Sequence, residues 1–167
     1  MRVLVTVASK HGSTGEIGEI IAGVLRDAGH AVDSAAPEAV RGIERYDAVV
    51  IGSAVYAGRW LQPARAFVDR HAADLATRPV WTFSSGPIGD PPTPADESLD
   101  AADIAARLGA QDHRTFPGRL DRSQLGFMER TVTRALQAPE GDFRDLDAIR
   151  SWADEIATAL RATEVPA

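Results

Sequence analysis

The chain has no cysteine among its 167 residues. That removes disulfides, thiolate nucleophiles and cysteine-held metal centres together, so any redox chemistry must be carried by a borrowed group. Aromatic residues make up only 6%, and each is a candidate for either the core or a ligand. Long apolar runs are missing as well. Val3 to Ala8 is too short for a signal peptide and far too short to span a bilayer, so no integral membrane segment is expected and a cytoplasmic location is. Positive charge is the minority sign: 18 Lys and Arg against 24 Asp and Glu give a net charge of −6, which repels nucleic-acid phosphates and anionic lipid. His11, His30, His71 and His113 lack metal-ligand spacing and no G-x-S-x-G elbow occurs, so metal and hydrolytic chemistry are not expected. His30 and His113 read as surface residues, and His71 as a packed member of a helical stripe.

What is present fits one compact domain over residues 1–163 with a tail at 164–167: the composition is 44% hydrophobic and 25% charged. Arg2 to Ala8 is a β-branched run that ends in the turn Ser9-Lys10-His11-Gly12-Ser13-Thr14. Ile17, Ile20, Ile21, Val24 and Leu25 then mark one face of a helix. A short strand over 31–35 follows, then the continuously apolar strand Asp47 to Ser53, whose lack of alternation fits a parallel sheet covered on both faces. Leu61, Ala64, Phe67, Val68, His71, Ala72 and Leu75 predict a second helix, and Val80 to Ser85 a fourth strand. A helix around Glu97 to Leu108, an edge strand at Arg114 to Pro117 and a final helix through Ile149, Trp152, Ile156 and Leu160 complete the alternation. This is a doubly wound α/β fold with helices on both faces, in which ligands sit beyond the carboxyl ends of the strands. The loops at 9–14, 54–60 and 84–92 are therefore the candidate site.

The first of these places Ser9, Ser13 and Thr14 around Gly12 directly before a helix N-terminus, where free N–H groups and the helix dipole favour an anion. Simple helix capping is the competing reading. A dinucleotide fingerprint is disfavoured by Thr14, which stands where the second close-approach glycine belongs, although Gly12, Gly15, Gly18 and Asp33 have suggestive positions and keep it as the minor alternative. A phospho-receiver domain would carry carboxylates where this chain has Ser9 and Ser53.

The stretch Ser9-Lys10-His11-Gly12-Ser13-Thr14 resembles the phosphate loop of flavodoxins. That resemblance implies FMN as cofactor and a five-stranded parallel sheet in the order 2-1-3-4-5. It implies that Ser9, His11, Gly12, Ser13 and Thr14 surround the FMN phosphate, with Lys10 projecting outward. It also implies that the second loop, here Ser53, Ala54, Val55, Tyr56, Ala57 and Gly58, lies beside the flavin ring. In that loop Tyr56 is the candidate for the ring contact, Gly58 lets a peptide turn to meet a flavin nitrogen, and Trp60 is divided between ring and core. Ser84, Ser85, Gly86, Pro87 and Gly89 are implied at the ribityl chain and ring edge, in a loop that lacks the tyrosine flavodoxins often carry there. The segment from Asp121 to Ala138, an insertion before the last helix, together with Gly118-Arg119-Leu120, Phe127-Met128 and Gly141-Asp142-Phe143-Arg144-Asp145, is similar to the menaquinone-dependent protoporphyrinogen oxidases. From that comparison the expected function is an FMN-dependent oxidoreductase acting on protoporphyrinogen or a related substrate with a quinone acceptor. The alternative is an electron carrier docking on redox proteins, and a homodimer is left open. No catalytic side chain is expected, because the flavin does the chemistry. Leu125, Met128, Val132 and Leu136 share a helical face, which serves either the chain's own sheet edge or an apolar mouth at Phe127 and Met128.

Overall fold

The computed structural model describes residues 1–86, 98, 100–120, 123 and 141–164. The insertion stripe, Phe127, Met128, Pro87 and Gly89 lie outside these residues. In chain order the elements are β1 (Arg2–Ala8), α1 (Ser13–Asp27), β2 (Ala31–Ala35), β3 (Ala48–Tyr56), β4 (Arg59–Trp60), α2 (Gln62–Leu75), β5 (Val80–Ser85), α3 (Ala101–Leu108), β6 (Asp112–Phe116), β7 (Arg119–Leu120), β8 (Gly141–Asp142) and α4 (Leu146–Glu164). A 3₁₀ turn at Pro37–Ala39 joins β2 toward β3.

The main sheet runs β2-β1-β3-β5-β6 with all of these pairings parallel. Counting only these five strands, this is the expected order 2-1-3-4-5. Its register fixes which side chains meet: Ala8, Ser53 and Ser84 lie abreast across β1, β3 and β5 at the carboxyl end. Strand alternation divides the core into two layers. Val3, Val5, Val50, Trp81 and Phe83 meet Ile17, Ile21 and Leu25 of α1 and Trp152, Ile156 and Leu160 of α4. On the other face Leu4, Val49, Ile51 and Val80 meet Phe67, Val68 and Leu75 of α2 and Ile104 and Leu108 of α3. Each such large side chain contributes about 1.5–3 kcal/mol by leaving water, which is what holds helices of ordinary propensity to the sheet.

Three local readings change. Strand β3 does not stop at Ser53 but continues to Tyr56, and Ala57 and Gly58, at φ of 50° and 71°, turn the chain back into β4. The expected loop at 54–60 is thus a tight hairpin whose two central residues take the positive φ that matches the twist of the strands. His30 is 6% exposed rather than on the surface, because it enters the chain reversal between α1 and β2. His113 is also drawn inward: it stands on β6 beside Thr82, and the Thr82 hydroxyl lies 2.8 Å from its Nδ1. His71 is packed as expected, with its ring 4.9 Å from that of Phe67.

Candidate functional site

At the carboxyl end of β1 the chain turns through Gly12, whose φ of 85° belongs to the left-handed region, and enters α1 at Ser13. The turn is held by the Gly12 N–H donating to Ser9 Oγ at 3.1 Å. The first intrahelical hydrogen bond runs from the Glu16 N–H to the Gly12 carbonyl at 2.9 Å, so the N–H groups of Ser13, Thr14 and Gly15 come before the helical ladder begins. Among the described residues no side chain caps this end, so the serines do not act as helix caps there. The Ser13 hydroxyl is buried without a hydrogen-bond partner among the described residues, and nothing lies within 4 Å of where a side chain on Gly12 would begin. Open space at Gly12, an orphaned hydroxyl and three successive N–H groups fit a phosphate, and the helix dipole contributes roughly 0.3–1 kcal/mol in favour of negative charge.

Tyr56 closes one side of this crest. It is 39% exposed, with its ring 6.4 Å from the His11 ring. Lys10 does not simply project outward, for its ammonium stands 5.2 Å from the centre of the Tyr56 ring. Such a cation over an aromatic face contributes about 0.5–1 kcal/mol at an exposed site. Trp60 is turned the other way. It is 1% exposed, and its Nε1–H donates to Ser84 Oγ at 2.8 Å. Alternation on β3, followed by the hairpin, sends Tyr56 and Trp60 to different surroundings, so Trp60 seals α2 onto the sheet.

Ser53 and Ser84 share that inward layer. The Ser53 hydroxyl donates to the Ala54 carbonyl at 2.8 Å and accepts from the Leu61 N–H at 2.9 Å, and Ser84 Oγ lies 3.4 Å from His113 Nε2 besides accepting from Trp60. Both hydroxyls serve the scaffold of α2, β4 and β6 rather than the surface of the crest. Burial pushes the His113 imidazole below its ordinary value, with Asp112 opposing the effect. Ala54 and Ser85 are buried neighbours in the β3–β5 register, and Gly86 packs so closely on Val55 that a side chain there would meet its Cβ and carbonyl oxygen at 3.2 Å. Ser9, His11, Gly12, Ser13, Thr14, Val55, Tyr56, Ala57, Gly58, Ser85 and Gly86 are thus brought to one end of the sheet.

Residues that sequence reasoning did not assign to the site also gather here. The β7–β8 ribbon lies against α1: Arg144 Nη1 reaches Glu16 Oε2 at 2.6 Å and the Ser13 carbonyl at 3.4 Å, while Arg119 reaches Glu16 at 3.2 Å. Arg144 is also paired with both carboxylate oxygens of Asp142, at 2.8 and 2.6 Å. Hydrogen bonding from Arg144, aided by the charge of Arg119 and working against burial, holds the Glu16 carboxyl below its ordinary range. The sequence singled out the stretches around Arg119 and Arg144 by resemblance, and Asp142-Phe143-Arg144 sets opposite charges two residues apart, but neither signal linked them to Glu16. Among the described residues no group of three or more His, Asp or Glu is placed to hold a metal ion, and no helix is long and apolar enough to cross a membrane.

The family model described as the flavodoxin domain matches residues 4–147. No curated protein sequence matches the chain. Among solved structures, a flavodoxin from the domain Archaea superposes with a TM-score of 0.68 at 16% identity, covering 96% of this chain and 99% of that one. Oxidised Flavodoxin 1 from Bacillus cereus gives 0.66 at 15% identity, covering 95% and 98%. The rubredoxin oxygen:oxidoreductase of Desulfovibrio gigas gives 0.69 at 16% identity, covering 99% of this chain but 37% of that larger one. At these identities the structural matches establish the fold.

Proposed function

This chain belongs to the flavodoxin-domain family, whose domains bind FMN, and from that premise we propose that it uses FMN to move electrons to or from a planar small molecule of the quinone or tetrapyrrole class. The observation that carries the reading is the uncapped start of α1, with the orphaned Ser13 hydroxyl and the left-handed Gly12 beside an exposed Tyr56. When bound, FMN supplies one- and two-electron transfer.

The chain's own residues bind and orient. Ser9, His11, Gly12, Ser13 and Thr14 would receive the phosphate, where each charge-assisted hydrogen bond contributes about 1.5–3 kcal/mol. Tyr56 would cover one face of the flavin ring, while the Lys10 ammonium stands over the Tyr56 ring itself. The backbone of Ala54 to Gly58 and of Ser85 and Gly86 would line the ring edge. Because Trp60 is committed to the core, the described loops offer Tyr56 as the aromatic that would cover the ring, and a planar redox partner would meet its opposite face. Protoporphyrinogen as donor with a quinone as acceptor is the finer form of this reading, supported by the resemblance of the segments around Arg119 and Arg144. The carrier reading draws on the net charge of −6, which suits docking on a basic redox protein.

Titration of apoprotein with FMN, riboflavin and FAD tests the binding step. FMN should bind most tightly, and equal affinity for FMN and riboflavin would remove the phosphate loop from the reading. Reoxidation of the reduced holoprotein by a water-soluble quinone, compared with a basic redox protein, then separates enzyme from carrier.

A further inference from the structure

The two short motifs that precede and follow the insertion, Gly118-Arg119-Leu120 and Gly141-Asp142-Phe143-Arg144, pair as the antiparallel ribbon β7–β8. The Phe143 N–H extends the pairing by donating to the Gly118 carbonyl at 3.1 Å. This stem meets the first turn of α1 through charge. The Arg144 side chain is 6% exposed, and its fork is divided: Nε and Nη2 hold Asp142, while Nη1 faces Glu16 and the Ser13 carbonyl. Arg119, 29% exposed, grips the same Glu16.

We infer that Arg144, assisted by Arg119, is a positioning residue for the phosphate, bolting the β7–β8 stem to the first turn of α1 and tuning that turn for a dianion. The inference rests on the phosphate-binding reading given above. Two effects act together. A carboxylate in the first turn satisfies the helix dipole and repels a second anion arriving at the same end; two guanidinium groups on Glu16 cancel that repulsion and draw the carboxylate toward the stem. The Ser13 carbonyl belongs to the same peptide unit as the Thr14 N–H, so a cation at that oxygen polarises the unit and strengthens the N–H as a donor. A planar fork is required, since an ammonium cannot hold Asp142 with two nitrogens and still present a third toward α1.

A purely structural anchor would weaken all flavins alike, whereas tuning of the phosphate site must appear as a change in the preference for FMN over riboflavin. The test is titration of apoprotein with both ligands, in wild type and in Arg144→Gln, Arg119→Gln and Glu16→Gln. Wild type should prefer FMN. Arg144→Gln should cut the ratio of FMN to riboflavin affinity by about tenfold, the size of one charge-assisted hydrogen bond. Arg119→Gln, on a partly exposed side chain, should cut it by about threefold and carries the test if Arg144→Gln does not fold. Glu16→Gln should raise the ratio. Equal loss of both ligands, an unmoved ratio in folded Arg144→Gln or Arg119→Gln, or a lowered ratio in Glu16→Gln would each overturn the inference while leaving the phosphate loop in place. A wild-type protein with no preference for FMN overturns both.

Discussion

Tyr56 and Trp60 are four residues apart, yet the hairpin between them gives one to solvent and the other to the core. Tyr56→Ala should therefore weaken FMN by about 0.5–1.5 kcal/mol, one aromatic contact, and shift the visible spectrum of the bound flavin. Trp60→Ala should cost about 3–5 kcal/mol of stability in urea, because it opens a cavity and strips Ser84 of a buried donor. A Trp60→Ala protein of unchanged stability but altered flavin spectrum would reverse the two roles. Between them, Ala57 takes a positive φ of 50° without being glycine. The left-handed conformation costs an alanine about 1–2 kcal/mol, against about 0.5–1 kcal/mol of extra chain entropy lost by glycine. Ala57→Gly should thus stabilise the protein by about 0.5–1 kcal/mol, seen as a higher urea midpoint at unchanged slope.

Along β5 and β6 the buried Thr82 and Ser84 and the half-buried His113 form a polar ladder that ends on Trp60. The ladder explains why an edge strand with exposed Arg114 and Thr115 stays registered on the sheet. It also makes the edge sensitive to pH. Burial holds the folded His113 below its ordinary value of 6.5, so between that value and the lower folded one the unfolded chain binds the extra proton. The stabilisation is complete above pH 6.5 and is lost as pH falls through the folded pKa. His71 carries a shift in the same direction, caused first by burial and then by Arg70. His113→Asn should consequently flatten, without abolishing, the decline in stability between about pH 7.5 and pH 5. Urea melts across that range measure it, and an identical decline in the variant would assign the whole effect elsewhere.

For the molecule as a whole, the net charge of −6 separates the two partner classes by salt. Electron transfer to an uncharged quinone should change little between low and high ionic strength, while exchange with a basic protein partner should slow as the Debye length shrinks from roughly 30 Å at 0.01 M to about 8 Å at 0.15 M. Stopped-flow reoxidation over that range gives the answer, and a steep salt dependence with the quinone would count against the small-molecule reading. Sequence alone determined the alternation of β and α, because a strand covered on both faces and a helix with one apolar stripe leave different periodicities in residues a few places apart. It also determined the turn over Ser9 to Thr14 and the start of α1, since these residues are consecutive and both features are local events. Tertiary structure alone decided the rest. Ala57-Gly58 is a weak turn signal until the flanking strands pair, and the exposure of a lone histidine such as His113 follows from the strand it lands beside. Arg144 and Glu16 stand 128 residues apart, so no periodicity connects them; they meet because the stem and α1 share one end of the sheet, where opposite charges pair.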